Sequence, residues 1–129
     1  MLQPKVYIKE LNIVREVEMV DFYNKQVSVH DVGIGFRGGA AIFSFDKVEF
    51  MENTGLKDKY GNYVYVGSIL TDEGELGEDE WIYGIVTKDI DEGYFISWEL
   101  IEFSESLYRC SVYSVVGNIY ENKELVENE

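Results

Sequence analysis

Apolar and polar residues alternate along most of this chain in short runs, with a period of two rather than 3.6. Successive side chains of a strand point to opposite faces, so such runs predict half-buried β-strands. Val6-Tyr7-Ile8 opens the first. Val14 to Phe22 forms a second, with Val17 and Met19 on one face and Val20 and Phe22 on the other. That change of phase predicts a bulge or twist near Met19. Tyr23-Asn24-Lys25 turns the chain into Val27-Ser28-Val29. Ala41, Phe43 and Phe45 then alternate, and Val48 and Phe50 continue out of phase after Asp46-Lys47.

The second half repeats this style. Tyr63 to Leu70 reads as a strand interrupted at Gly67. Trp81, Tyr83 and Ile85 fall on one face of the next strand, and Tyr94, Ile96, Trp98 and Leu100 on one face of another. Phe103 to Tyr108 holds a single turn at most. Cys110 to Tyr120 reads as a last strand rich in Val and Tyr, and Asn122 to Val126 predicts one helical turn capped by Asn122. Short strands joined by short turns indicate small antiparallel sheets that curl into barrels. The predicted architecture is mostly β with little helix: an N-terminal β-meander over residues 1–53, then a curled barrel over 54–129, as two small domains or as one compact unit. Val116, Gly117 and Ile119 are expected to close that barrel. Thr54 to Asn62 is the boundary, and polar Lys57-Asp58-Lys59-Tyr60-Gly61-Asn62 suits a tight connection between strands.

With 129 residues, 46% of them hydrophobic and 15% aromatic, the chain can bury a core and is not expected to be disordered. No apolar run approaches the roughly 18 residues of a membrane helix. The opening Met1-Leu2-Gln3-Pro4-Lys5 lacks the apolar core of a signal peptide. A lone cysteine makes no internal disulfide and no zinc site by itself. These features predict a cytoplasmic protein with no membrane partner.

The net charge of −14 is unevenly placed. Residues 1–60 carry 9 acidic and 8 basic groups, a net of −1; residues 61–129 carry 16 acidic and 3 basic, a net of −13. Phosphate contacts need cations, so direct nucleic-acid binding is not expected. Thr71 to Glu80 holds six acids in ten residues: Asp72, Glu73, Glu75, Glu78, Asp79 and Glu80. This run lacks the ordered spacing of a calcium loop and reads first as a solvated acidic hairpin. It is also the candidate acidic interaction surface. Clustered carboxylates attract a basic cleft, and the alternative function is a nucleic-acid mimic that blocks a host DNA-binding or defence protein.

No catalytic site assembles from the residue types. Gly33-Ile34-Gly35-Phe36-Arg37-Gly38 has the glycine spacing of a dinucleotide loop, but a strand-like run follows it where a helix would receive the phosphates. It reads as a hairpin loop. His30 is the only histidine and alternates with Ser28 on a polar face. No serine sits in a nucleophile turn, and Cys110 reads as a buried small hydrophobe. Carboxylates are abundant without a placement that supports glycoside hydrolysis. No cofactor, metal or catalytic residue is predicted, and an enzyme of unknown type is the least favoured reading. Ten tyrosines and two tryptophans suit either a small curled core or a contact surface.

Two stretches carry a family resemblance. One is Met51-Glu52-Asn53-Thr54-Gly55-Leu56-Lys57-Asp58-Lys59-Tyr60-Gly61, continuing to Leu70. The other is Val115-Val116-Gly117-Asn118-Ile119-Tyr120-Glu121-Asn122. In order and separation they resemble the YopX family of phage and prophage proteins, and looser matches at Lys5 to Ile8, Val20 to Phe22 and Phe45 to Met51 extend the likeness over nearly the whole chain. Ser68 stands where the family carries an acid, and Lys123 where it carries Pro. The resemblance implies an SH3-like barrel in the second half and supplies no catalytic residue. It implies a phage-encoded protein. Small open sheets have exposed edge strands that serve as templates for pairing, so the expected function is that of a non-enzymatic accessory protein acting by contact with a protein partner or by self-association, with a homo-oligomer as one form.

Overall fold

The computed structural model describes residues 3–30, 41–74, 80–91, 93–99 and 103–126. The chain divides into two compact units, residues 1–52 and 53–129. Both are built from antiparallel strands, and the only helical elements among the described residues are 3-10 turns.

Unit 1 contains β1 (Lys5–Ile8), β2 (Ile13–Asp21), β3 (Gln26–Val29), β4 (Ala41–Ser44) and β5 (Val48–Met51). They form one sheet in the order β4-β3-β2-β1-β5. The first four strands follow one another as the expected meander, and the fifth returns to pair with β1, Ile8 opposite Val48 and Lys5 opposite Met51. A 3-10 turn at Phe45–Lys47 makes this return possible. There the Lys9 N–H donates to the Lys47 carbonyl at 3.0 Å. Val48 and Met51 are buried, so the return covers apolar surface that a plain meander would leave wet. Val6, Ile8, Val17, Val27, Val29, Ala41, Phe43 and Val48 form the core. The predicted irregularity in β2 is present: its register against β3 shifts between Val17 and Met19. Val17 therefore enters the core while Met19 points to solvent. Ser28 lies on the same face as the exposed His30, but it is buried between Met19 and Ile42, so that face is not the polar one expected.

Unit 2 begins with a two-stranded ribbon, β6 (Asn53–Lys57) and β7 (Tyr63–Tyr65). Its main sheet contains β8 (Ser68–Thr71), β9 (Tyr83–Asp89), β10 (Gly93–Trp98), β11 (Phe103–Ser106) and β12 (Ser114–Asn118), in the order β11-β10-β9-β8-β12. This is the strand order of unit 1, again with a 3-10 turn, Leu107–Val112, before the returning strand. The two units share a topology that no sequence repeat announces. β12 pairs with β8, with a register shift between Val115 and Gly117, and Val116, Gly117 and Ile119 do not close the expected barrel. Among the described residues no ladder joins β11 to β12, so this sheet is open rather than a closed barrel.

Three other expectations change in unit 2. The run from Tyr63 to Leu70 is two strands, because Gly67 turns the chain with a φ of 97°. Cys110 does not head a strand. It lies in the 3-10 turn, where Leu107 and Cys110 are both buried at the three-residue repeat of that helix. On β9 the core face holds Gly84 and Val86, preceded by buried Ile82, whereas Trp81 is exposed and Tyr83 and Ile85 are half-buried. Gly84 lies opposite Trp98 in register, and the indole fills the space that a side chain at Gly84 would need. Ile96 and Trp98 take the core face of β10 as predicted, with Tyr94 packed against it; Leu100 lies outside the described residues. None of the described helices is long and apolar enough to cross a membrane.

Candidate functional site

The residues of the two motifs are spent on backbone geometry. Asp58 is buried in the turn between β6 and β7. Its Oδ1 accepts the N–H groups of Tyr60 at 2.9 Å and Asn62 at 2.8 Å. Its Oδ2 accepts the Asn62 side-chain amide at 3.3 Å and the Val115 N–H at 2.9 Å. The last bond joins one motif to the other across 57 residues of sequence. Burial raises the Asp58 pKa, and the bonds from Val115, Asn62 and Tyr60 outweigh it, so the carboxyl titrates below its ordinary value of 3.8. The same junction holds the Lys59 N–H on the Tyr113 carbonyl at 3.0 Å. The Ile119 N–H donates to the Gly67 carbonyl at 2.9 Å, and Asn118 Oδ1 accepts from Tyr120 and Glu121. Asn122 occupies a cap position but makes no side-chain cap bond to the 3-10 turn Lys123–Leu125. Its Oδ1 instead accepts the Asn118 N–H at 3.1 Å, behind a glycine, Gly117, that leaves it room.

The candidate chemical groups have structural surroundings too. Cys110 is buried and donates its S–H to the Lys57 carbonyl at 3.4 Å. Burial and then the charge of Asp58 push its pKa up, which disfavours the thiolate a nucleophile requires. His30 contacts Glu18 through Nε2 at the solvent-facing surface.

Of the six carboxylates of the acidic run, three lie among the described residues. Asp72 is buried, with Oδ1 accepting the N–H groups of Gly74 at 3.0 Å and Ile82 at 3.2 Å. It is a turn-forming aspartate, not an exposed member of an acidic array, because its short side chain can reach back to the backbone. Glu73 pairs with Lys59 and accepts the Tyr60 hydroxyl. Glu80 is exposed. Glu75, Glu78 and Asp79 lie outside the described residues, as does the Gly33–Gly38 loop. No group of three or more His, Cys, Asp or Glu side chains among the described residues is arranged to hold a metal ion.

One polar cluster has no sequence signal. Glu105, half-buried on β11, accepts Trp98 Nε1–H at 3.2 Å and the Tyr113 hydroxyl at 3.0 and 3.1 Å. The Trp98 and Tyr113 rings meet edge to face, centroids 4.9 Å apart. Burial first, then the bond to Glu105, pushes the Tyr113 pKa up to about 12. An alkaline titration followed by tyrosinate absorbance should show one tyrosine ionising near that value. With the folded pKa raised above the ordinary 10.0, the unfolded chain loses its proton first, so this group should erode stability as pH rises from about 10 to 12. Tyr113→Phe should remove both effects.

Unit 1 carries an apolar surface beside a strand edge. Met19, Ser28 and Ile42 lie side by side across β2, β3 and β4. Met19 is 58% and Ile42 63% exposed, and a hollow of about 100 Å³ lies among Met19, Asp21, Gln26, Val27, Ser28 and Ile42. Phe22 is exposed nearby in sequence at the turn after β2, stacked edge to face on Phe45. Among the described residues β4 is an edge strand, and its sequence, Ala41-Ile42-Phe43-Ser44, contains neither charge nor proline. Proteins ordinarily blunt exposed edges with such residues; the opposite edge, β5, carries Glu49, which pairs with Lys9 at 3.4 Å.

Residues 5–127 match the family described as YopX protein. The chain belongs to the YopX family. Among solved structures this YopX-family chain is similar to the crystal structure of protein EF1440 from Enterococcus faecalis. The two share 25% sequence identity and a TM-score of 0.60, with 97% of each chain covered. No curated protein matches it.

Proposed function

We propose that this YopX-family protein is a non-enzymatic phage or prophage accessory protein of the host cytoplasm that acts by protein–protein contact. Self-association through the β4 edge of unit 1 is part of that action. The observation that carries the reading is the β4 edge, uncharged and unpaired among the described residues, with Ile42 and Met19 exposed beside it. An unpaired strand edge is a template for another strand, and the apolar side chains beside it gain by leaving water. Charge distribution supports unit 1 as the contact. Residues 1–52 carry 8 acidic and 6 basic groups, a net of −2; residues 53–129 carry 17 and 5, a net of −12, and two such halves repel. The non-enzymatic reading draws support from the candidate groups themselves, since Asp58 and Cys110 are committed to backbone partners.

The nucleic-acid mimic loses support from burial of Asp72 and neutralisation of Glu73 by Lys59. The proposal is tested by sedimentation velocity over a wide range of loading concentrations. The wild type should form dimers or larger species, and Ile42→Glu, an exposed position whose change spares the core, should weaken association at least tenfold. A wild type that stays monomeric at the highest concentration would overturn it.

A further inference from the structure

A second surface, on unit 2, points to a different occupant. β11 is the edge of its sheet, and among the described residues no strand pairs with its outer side. A cavity of about 420 Å³ runs beside it, lined by Tyr94, Phe95, Ser104, Glu105 and Ser106. Register explains this composition. Glu105 lies opposite Ile96 and Ser106 opposite Phe95, so the strand presents its carboxylate and its serine hydroxyls on alternate sides of one edge. The carboxylate does not swing freely. Trp98 and Tyr113, both buried, hold it from below through the indole N–H and the phenol. Those donors are neutral, and among the described residues no cation lies within ion-pair distance of Glu105.

A carboxylate already fixed by neutral donors need not be reorganised by a cation that arrives at it. Two nearby cations qualify the picture. Lys88 lies over the Tyr94 ring, 5.6 Å from its centroid, and Arg109 acts on Tyr113 electrostatically. Neither neutralises Glu105, and the net charge of residues 53–129 remains strongly negative. Tyr94, which shares a face of β10 with Ile96 opposite Glu105, gives that side of the cavity an aromatic flank, which suits the methylene stem of a basic side chain.

We infer that the β11 edge of unit 2 takes an extended basic segment of a partner protein. The segment adds as a strand along Ser104–Ser106, and an arginine or lysine side chain enters the cavity to pair with Glu105. Backbone bonding along the edge would supply affinity for any extended segment, and Glu105 would select the basic one. Charge complementarity favours this occupant over a second copy of the chain, whose corresponding half is equally acidic. The inference does not rest on self-association through unit 1.

The test uses the full chain and a synthetic heptapeptide, Thr-Val-Thr-Arg-Thr-Val-Thr, with a control in which the arginine is replaced by glutamine. Binding is followed by NMR at the Trp98 indole N–H, which touches Glu105, and at the amides of residues 103–106. The arginine peptide should shift these signals saturably. The glutamine peptide, and the arginine peptide with Glu105→Gln protein, should each bind at least tenfold more weakly. The Glu105→Gln variant retains an acceptor for Tyr113 or Trp98, and its unperturbed core signals would show that it folds. No shift at millimolar peptide, or equal binding of the two peptides, would overturn the inference. So would concentration-dependent shifts at the same amides without peptide, which would name a second copy as the occupant.

Discussion

Replacing Asp58 with alanine should destabilise unit 2 by roughly 3–5 kcal/mol, since hydrogen bonds to a charged acceptor contribute about 1.5–3 kcal/mol each. Three backbone N–H groups, of Tyr60, Asn62 and Val115, would lose their acceptor together. A whole domain is stable by only about 5–15 kcal/mol, so urea unfolding should show the loss plainly. Asparagine at the same position should recover part of it, because its single oxygen can serve only one of the two sides of the turn. The pH dependence has a definite sign. The folded pKa of Asp58 is lowered from 3.8, so its contribution is complete at neutral pH and is lost as pH falls from about 3.8 through the folded value. The unfolding curve of Asp58→Asn should lack that part of the acid limb.

Trp98→Ala should cost about 3–5 kcal/mol, the usual range for emptying a large aromatic site in a core. The indole is 2% exposed, it packs on Tyr113, and it covers Gly84 across the β9–β10 ladder. A Cβ at Gly84 would fall 2.6 Å from Ile96 Cγ2 and 3.0 Å from the indole ring. Gly84→Ala alone should therefore cost about 1–3 kcal/mol through overpacking. In the Trp98→Ala background part of that penalty should vanish, since the two ring contacts are gone and Ile96, the closest neighbour, gains a cavity into which it can yield. Chemical denaturation of the two single variants and the double variant measures this coupling, and simple additivity would contradict the packing described.

The same pair marks where the sequence can be read and where it cannot. Alternation placed Ala41 and Phe43, and likewise Ile96 and Trp98, on core faces because each strand shows its apolar period directly. The phase change near Met19 gave away a bulge for the same reason. On β9 the alternation misled: Tyr83 and Ile85 outweigh Gly84 and Val86 in apolar character, yet Gly84 is the inward position because its partner Trp98 needs the volume. That information lies on another strand. The 3-10 turn at Leu107–Val112 was hidden by a valine- and tyrosine-rich composition that suits strands, although the spacing of Leu107 and Cys110 was available as a signal. The shared strand order of the two units depends on long-range pairings, β5 with β1 and β12 with β8, and local pattern does not encode them.

The candidate sites were legible to different degrees. Turn glycines and the polar Lys57–Asn62 run revealed a connection, but not that Asp58 would reach Val115. The acidic run was visible as charge alone, and charge does not distinguish Glu80, in solvent, from Asp72, which closes its own turn. Glu105 was one of many carboxylates until the fold placed Trp98 and Tyr113 beside it.

The residues marking this family serve backbone geometry, with Asp58 as the junction of the two motifs. Native-state amide hydrogen exchange tests that most directly. The amides of Tyr60, Asn62 and Val115 should be protected in the wild type, and all three should lose protection together in Asp58→Ala. Unchanged exchange at Val115 in that variant would contradict the junction.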